Sequence, residues 1–333
     1  MSRRAAVVGT GMYAPERVVA NAEFNERYGM DVDAFLRANR NIRERHFMAA
    51  DQATSDLVVP AAEAALAAAG LSAGDVDLLI VTTDTPDYIS PPTASVVQHK
   101  LGARRAGTFD VNSACAGFVT ALDMASKYVV ADERYRTVLV SGAYGMSKYL
   151  DWDDYKLATL FADGAGAVVV QARADGSGIL ASTLYADGSF HDYMGIYAGG
   201  TFMPASAEAL ARKDHLLRFA KKFPAETNPT HWPRLIRDTL GRIGRSPQDV
   251  ARYFFTQINI FSINETLDQL DVPHERAHNI MVRFAYTGSA CIPMALADAA
   301  AQHQLKRGDL VVLMGSGGGM AMAAMALEWS YDT

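Results

Sequence analysis

The sequence predicts a duplicated α/β fold, with two pseudo-symmetric halves built on mixed, mostly parallel sheets covered by helices. Three matches between distant stretches predict it. "GLSAGDVDLLIVTT" and "GRSPQDVARYFFTQ" both follow an amphipathic helical stretch, and both read as a glycine stop, a turn closing on Asp-Val and a buried strand. Asp75 and Asp249 in them stand 249 − 75 = 174 residues apart. "TVLVSGAYGM", ending at Met146, resembles "VVLMGSGGGM", ending at Met320, again at 174. Between them "SACAGFVTALDMA" resembles "SACIPMALADA", which sets Cys115 against Cys291 at 291 − 115 = 176. One match means little, but three in order at nearly one spacing mean a repeated unit.

The elements follow in chain order. "AAVVGTGMY" is a strand, and "VVGTGMYAPERVV" matches the spacing of a dinucleotide-binding G-x-G-x-x-A. The context fails, because Pro15 falls in the body of the helix that such a loop must open. "LVVPAAEAALAAA" is a helix leading into the strand that ends at Thr83. "DVNSACAGFVTALDMASKYV" reads as a strand end, a tight turn of small residues and a long apolar-periodic helix. The junction of the halves falls in "ARADGSG", a turn-forming connector, giving an N-terminal half over 1–174 and a C-terminal half over 175–333. Segment 186–230 has no counterpart at the repeat spacing. It holds "YAGGTFMPAS" and a basic stretch, "ARKDHLLRFAKKF", predicted to be helical, and reads as an insertion near the entrance of a site.

Composition excludes several classes. The 333 residues are half apolar and 20% charged, which suits a large globular core. A net charge of −6 without a basic stripe argues against nucleic acid. The apolar run after "MSRR" is too short for a signal peptide, and no run approaches the ~18 to 20 residues of a membrane span. Two cysteines without a secretory signal fit a reducing, cytoplasmic compartment. His274 and His278 lie four apart, with no acidic or cysteine set at metal spacing, so no metal is expected.

Cys115 is the one side chain at its junction fit for covalent chemistry. A thiol at a helix N-terminus feels the positive end of the helix dipole, which favours the thiolate, and small neighbours leave room for a carbonyl to approach. Against that, free cysteine is among the most buried residue types and packs as a small apolar group. Cys291, followed by Ile-Pro, reads as core. The glycines of "GSGGGM" allow close backbone approach and aim N–H groups at a developing oxyanion, or simply make a tight turn.

With these stretches in hand, the chain resembles the thiolase superfamily, most closely its 3-oxoacyl-acyl-carrier-protein synthase III branch. The resemblance rests on "VVGTGMYAPERVV", "IRERHF", "TTDTPDY", "FDVNSACAGF", "ATLFADGAGAVVV", "TGSACIPMALADA" and the glycine-rich end. It implies a five-layer αβαβα fold and a homodimer. It also implies no permanently bound cofactor, with coenzyme A thioesters as substrates and an acyl carrier protein as a further partner. By resemblance Cys115 takes an acyl group from coenzyme A and condenses it with a malonyl thioester, and the N–H groups of Cys115 and Gly318 form the oxyanion hole. "TFDVNSACAG" is expected near the dimer interface, and Tyr88 and Ile89 in "DTPDYISPP" are expected to reach the partner's acyl pocket.

The chain departs from the family at two of three catalytic positions. Thr256 stands where the family's histidine is expected, with Gln257 and Asn259 retained, and Tyr286 stands at the asparagine position. That pair holds the malonyl thioester carbonyl as carbon dioxide leaves, and losing one preorganised donor costs about 3 kcal/mol in the transition state. Tyr286, Thr256 and Gln257 are the candidate replacements, with His278 and His231 as alternative bases. Phe261 stands where the family has an arginine for the carrier protein. Phe35, Arg40 and Arg43 are the candidates for adenine and phosphate contacts. Three functions follow: a condensing enzyme with altered machinery, a non-decarboxylating acyltransferase, or a non-catalytic subunit beside an active homologue.

Overall fold

The computed structural model describes residues 3–333. Its first sheet orders the strands Arg4–Tyr13, Asp163–Arg173, Thr137–Gly145, Leu78–Thr82 and Gly107–Val111. The second orders Gly178–Ala186, Ala321–Glu328, Leu310–Gly317 and Arg252–Phe255. The second repeats the first four strands of the first in order and direction: antiparallel, antiparallel, parallel. The duplication reaches the turns. Ser72 N–H donates to Asp75 Oδ2 at 2.9 Å, and Ser246 N–H donates to Asp249 Oδ2 at 2.7 Å, each stapling the 3₁₀ turn before an equivalent strand.

The sheets are mixed but not mostly parallel. Parallel pairing joins Leu78–Thr82 to both its neighbours and Arg252–Phe255 to Leu310–Gly317, while the other four pairings are antiparallel. Connection length decides this. Only residues 318–320 separate Leu310–Gly317 from Ala321–Glu328, and so short a link cannot make the crossover that parallel strands need. Buried strands are apolar on both faces and carry no sign of direction in their sequence.

Three cores define five layers. Helices Thr54–Ala68 and Thr93–Leu101 cover the outer face of the first sheet, with Leu57, Val97 and Leu139 in one core. Helices Gly117–Ala131 and Cys291–Ala301 fill the centre, where Phe118, Leu122, Leu296, Val140 and Leu313 pack together. Helices Thr227–Gly241 and Ile260–Leu270 cover the second sheet through Trp232, Ile236, Leu267 and Met314. The central stretch Ala114–Ala131 is apolar and long enough by composition to span a membrane, unlike the sequence-based expectation, and here it is a core helix.

The basic stretch 211–223 is not the helix expected. Helix Ala207–Ala211 stops at once, Lys213 adopts φ +60°, and Arg218–Phe219 forms a short strand against Met194–Gly195. Buried Asp214 explains it. Arg212 and Arg218 both close on its carboxylate, and Leu217 N–H is drawn to Tyr149 O at 2.7 Å. Tertiary ion pairing overrides a helical charge pattern.

Candidate active site

Cys115 sits on a strained turn between the edge strand Gly107–Val111 and helix Gly117–Ala131. Asn112 Oδ1 accepts Ala114 N–H at 3.0 Å, and Ala114 is held at φ +44°, a conformation an alanine adopts only under constraint. Ala116 N–H then donates to Ser113 O at 3.1 Å and Gly117 N–H to Ala114 O at 2.9 Å, starting the helix. The glycine-rich end of strand Leu310–Gly317 lies directly on this turn. A Cβ on Gly317 would stand 2.6 Å from Cys115 N and 2.8 Å from Ser113 O, so only glycine lets the two backbones meet.

The thiol opens on a cavity of about 690 Å³ whose wall includes Cys115, Tyr286, Gly317, Gly318, Asn228 and Asn259. Residues 219–225 and Met194, from the segment without a repeat counterpart, form one side. Four cations, Arg40, Lys156, Lys221 and Lys222, also line it, with no carboxylate or imidazole among the described lining residues. Lys221 is held by Asp192 at 2.6 Å. Such a wall suits a long ligand with an anionic end.

Burial, not the helix terminus, governs the thiol. Enclosure pushes the Cys115 thiol well above its usual range, the charge of Asp84 pushes it further, and a hydrogen bond with Tyr286 draws it part of the way back. This shift runs against the thiolate that a helix terminus favours. Tyr286 is itself enclosed, and burial raises its hydroxyl well above the ordinary phenol. Its ring packs in tilted geometry, with centroids 5.4 Å from Phe161 and 6.5 Å from Tyr144. Tyr144 fits because Gly288, at φ +49°, leaves its ring space. Cys291 is buried and pushed up to about 12 by desolvation.

The other candidates scatter. Thr256 ends strand Arg252–Phe255 but stays off the cavity wall, and its hydroxyl accepts Ser316 N–H at 2.8 Å. Gln257 is buried, donating to His278 O at 3.1 Å and accepting Ile280 N–H at 2.8 Å, which makes it a brace. His278 lies against Asp298 at 2.8 Å and Gln304 at 3.1 Å, in a network with Arg283, so it is not a base for the cavity. His231 stacks on Tyr185 outside the cavity. Asn259 caps helix Ile260–Leu270 through Phe261 N–H and does line the cavity, whereas Phe261 is exposed and off its wall. Arg40 reaches the wall with its guanidinium 6.0 Å from the exposed Phe35 ring. Arg43 faces a separate shallow depression beside Asp33 and Arg37. Tyr88 and Ile89 are exposed on their loop, Ile89 by 82%.

Sequence reasoning missed Asn228, Ser316 and Asp84. Ser316 Oγ and Asn228 Oδ1 meet at 3.1 Å, which orients the Asn228 amide at the cavity. Asn228 belongs to no motif and no repeat. Asp84 carried one signal, an acid at the end of an otherwise apolar buried strand. Among the described residues no cluster of His, Cys, Asp and Glu is arranged to hold a metal.

A cysteine on a strained turn, packed against a glycine-rich loop at the wall of a cationic cavity in a five-layer duplicated fold, defines a thiolase-type acyltransferase. Residues 109–188 match the model for 3-oxoacyl-[acyl-carrier-protein (ACP)] synthase III, and residues 240–329 match the model for its C-terminal domain. The beta-ketoacyl-[acyl-carrier-protein] synthase III of Rhodobacter capsulatus is 38% identical, with 99% of this chain and 100% of the relative aligned. The 3-oxopimeloyl-[acyl-carrier-protein] synthase of Rhodothermus marinus is 40% identical over 98% of this chain and 94% of the relative. The crystal structure of the 3-oxoacyl-(acyl carrier protein) synthase III of Pseudomonas aeruginosa superposes with a TM-score of 0.90 at 32% identity, covering 99% of both chains. The chain belongs to the 3-oxoacyl-acyl-carrier-protein synthase III family.

Proposed function

We propose that Cys115 takes an acyl group from an acyl-coenzyme A entering the cavity, with the N–H groups of Cys115 and Gly318 stabilising the oxyanion. The observation that carries this reading is the contact of Gly317 with the Cys115 turn, which sets a glycine backbone and the thiol on one cavity. Arg40, Lys156 and Lys222 at that cavity suit the phosphates of coenzyme A. The acyl group is then condensed with a malonyl-type thioester on an acyl carrier protein, in fatty-acid or specialised lipid synthesis. In place of the usual pair, the Tyr286 hydroxyl and the amides of Asn228 and Asn259 hold the second thioester, since these polar groups reach the cavity and Thr256 does not. The enzyme acts as a cytoplasmic homodimer. Support for the dimer is the free outer edge of strand Gly107–Val111, whose unpaired backbone suits a second copy. The two halves divide near residue 174, in the link between Asp163–Arg173 and Gly178–Ala186.

A second reading is transfer of the acyl group to an amine, hydroxyl or carrier thiol without decarboxylation. It is favoured by the absence of imidazole among the described residues of the cavity wall. The test is intact-protein mass spectrometry of wild type and Cys115→Ala after incubation with acyl-coenzyme A thioesters, followed by a malonyl-thioester chase. An acyl mass on wild type alone, lost in the chase with a β-ketoacyl product, supports condensation. An acyl mass that survives the chase favours the second reading. No loading from any donor overturns both and leaves the non-catalytic subunit.

A further inference from the structure

Two cations of the cavity wall stand on separate pieces of the chain. Arg40 ends the helix Val32–Arg40, and Lys156 lies on the short helix Tyr155–Ala158. Both serve one anionic ligand well only while their spacing is fixed. The group that fixes it lies behind the wall. Arg45, on strand Glu44–Phe47, is fully enclosed, yet its hydrogen bonds reach no carboxylate. One arm of the guanidinium, Nη1, donates to Asn21 Oδ1 at 2.7 Å and to Val19 O at 3.2 Å. Asn21 carries the link onward. Its Nδ2 donates to Asp33 Oδ1 and to Ile42 O, both at 2.8 Å, which brackets helix Val32–Arg40 at its two ends. The other arm, Nη2, donates to Thr159 O at 2.7 Å. Thr159 closes the helix of Lys156, its N–H and its hydroxyl donating to Tyr155 O at 3.1 and 2.7 Å. Asn21 and Thr159 are buried as well, so no solvent-exposed joint interrupts this chain of bonds.

We propose that Arg45 is a positioning residue for donor binding, its guanidinium fork setting Lys156 and Arg40 at the spacing that grips the coenzyme A phosphates. The inference rests on the coenzyme A reading above. Arg45 is not part of the cavity wall and acts through the two helices. Stability does not account for a charge in this place. Burial lowers the guanidinium to about 10, and its Nε finds no partner among the described residues. Buried charges are often replaced by apolar groups of like volume without loss of stability. What an apolar side chain cannot do is offer a rigid fork of donors to acceptors on two elements at once.

Wild type, Arg45→Met and Arg45→Lys are compared in Cys115 loading from an acyl-coenzyme A and from the matching acyl-pantetheine, which carries no phosphate. Arg45→Met is expected to raise the half-saturating concentration of acyl-coenzyme A about fivefold, with the maximal loading rate held. The value for acyl-pantetheine changes by less than about twofold. Arg45→Lys keeps the charge, but one ammonium cannot span both helices, so it follows Arg45→Met. In a Lys156→Ala background the further effect of Arg45→Met falls below about twofold. Thermal unfolding checks each variant, and Arg45→Lys serves if Arg45→Met does not fold. Equal shifts for the two donors, a wild-type profile in Arg45→Lys, or the full effect without Lys156 overturns the proposal. If the wild type loads no acyl group, the acyl-transfer reading has failed, and calorimetric titration with coenzyme A and with pantetheine decides on Arg45. Weaker binding of coenzyme A alone in both Arg45 variants supports the role. Unchanged or equally weakened binding refutes it, as does a wild type that binds no coenzyme A.

Discussion

Replacing Gly317 by alanine tests the central contact of the site. The added Cβ would stand 2.6 Å from Cys115 N, 2.8 Å from Ser113 O and 2.9 Å from the Ala114 Cβ, where ordinary contact begins at 3.4 Å. Two of these atoms are backbone and the third belongs to a residue already held at positive φ, so no flexible side chain absorbs the clash. The turn and the loop must separate by about 0.8 Å, the difference between 3.4 and 2.6 Å. Overpacking of this kind costs about 1–3 kcal/mol in stability. A displacement near 1 Å between nucleophile and oxyanion donors slows attack by about 10²-fold. The control is Gly318→Ala, whose Cβ meets only the flexible end of Met194 at 3.3 Å and its carbonyl at 3.7 Å, and which keeps its N–H. Single-turnover acylation by intact mass, beside thermal unfolding, reads both variants. Gly317→Ala is expected to lose ~30- to 100-fold in rate and Gly318→Ala less than about fivefold. A Gly317→Ala enzyme that loads at the wild-type rate would refute the reasoning.

Four further outcomes are expected. Tyr286→Phe keeps the ring but removes the hydroxyl that favours the Cys115 thiolate, so alkylation of Cys115 at pH 8 slows by about fivefold, the equivalent of one hydrogen bond near 1 kcal/mol. Lys156→Ala and Lys222→Ala each raise the KM for acyl-coenzyme A about two- to fivefold with kcat held, and added salt shrinks the difference. Asp84 has its folded pKa raised from 3.8 to about 6, so its stabilising contribution is present below pH 3.8 and is lost as pH rises to 6. Asp84→Asn therefore raises the unfolding temperature at pH 7.5, by the equivalent of about 1–2 kcal/mol, and the gain disappears below pH 4. Finally, Ile89→Trp shifts acyl-chain preference if this exposed loop reaches the partner's pocket; an unchanged chain profile in a competition assay would place that pocket elsewhere.

The sequence by itself determined the duplication, the layer pattern and the place of Cys115 on a small-residue turn before an apolar helix. Repeat spacing survives folding because each unit reuses the same local devices, down to the Ser72–Asp75 and Ser246–Asp249 staples. A small-residue turn before an apolar helix, and a glycine run after a buried strand, are local signals, and their meeting at Cys115 and Gly317 follows from the paired halves. Tertiary structure alone decided the rest. Strand direction was hidden because buried strands look alike whichever way they run. The stretch 211–223 abandoned helix because the buried Asp214 gathers Arg212 and Arg218 from its two sides. Thr256 and Tyr286 both stood at catalytic positions in the sequence, yet one faces Ser316 N–H and the other the thiol, a distinction set by side-chain direction at the ends of different elements. Burial works against the helix terminus at Cys115, because desolvation depends on every layer packed around the thiol, and the charge of Asp84, 31 positions before it in the chain, acts in the same direction.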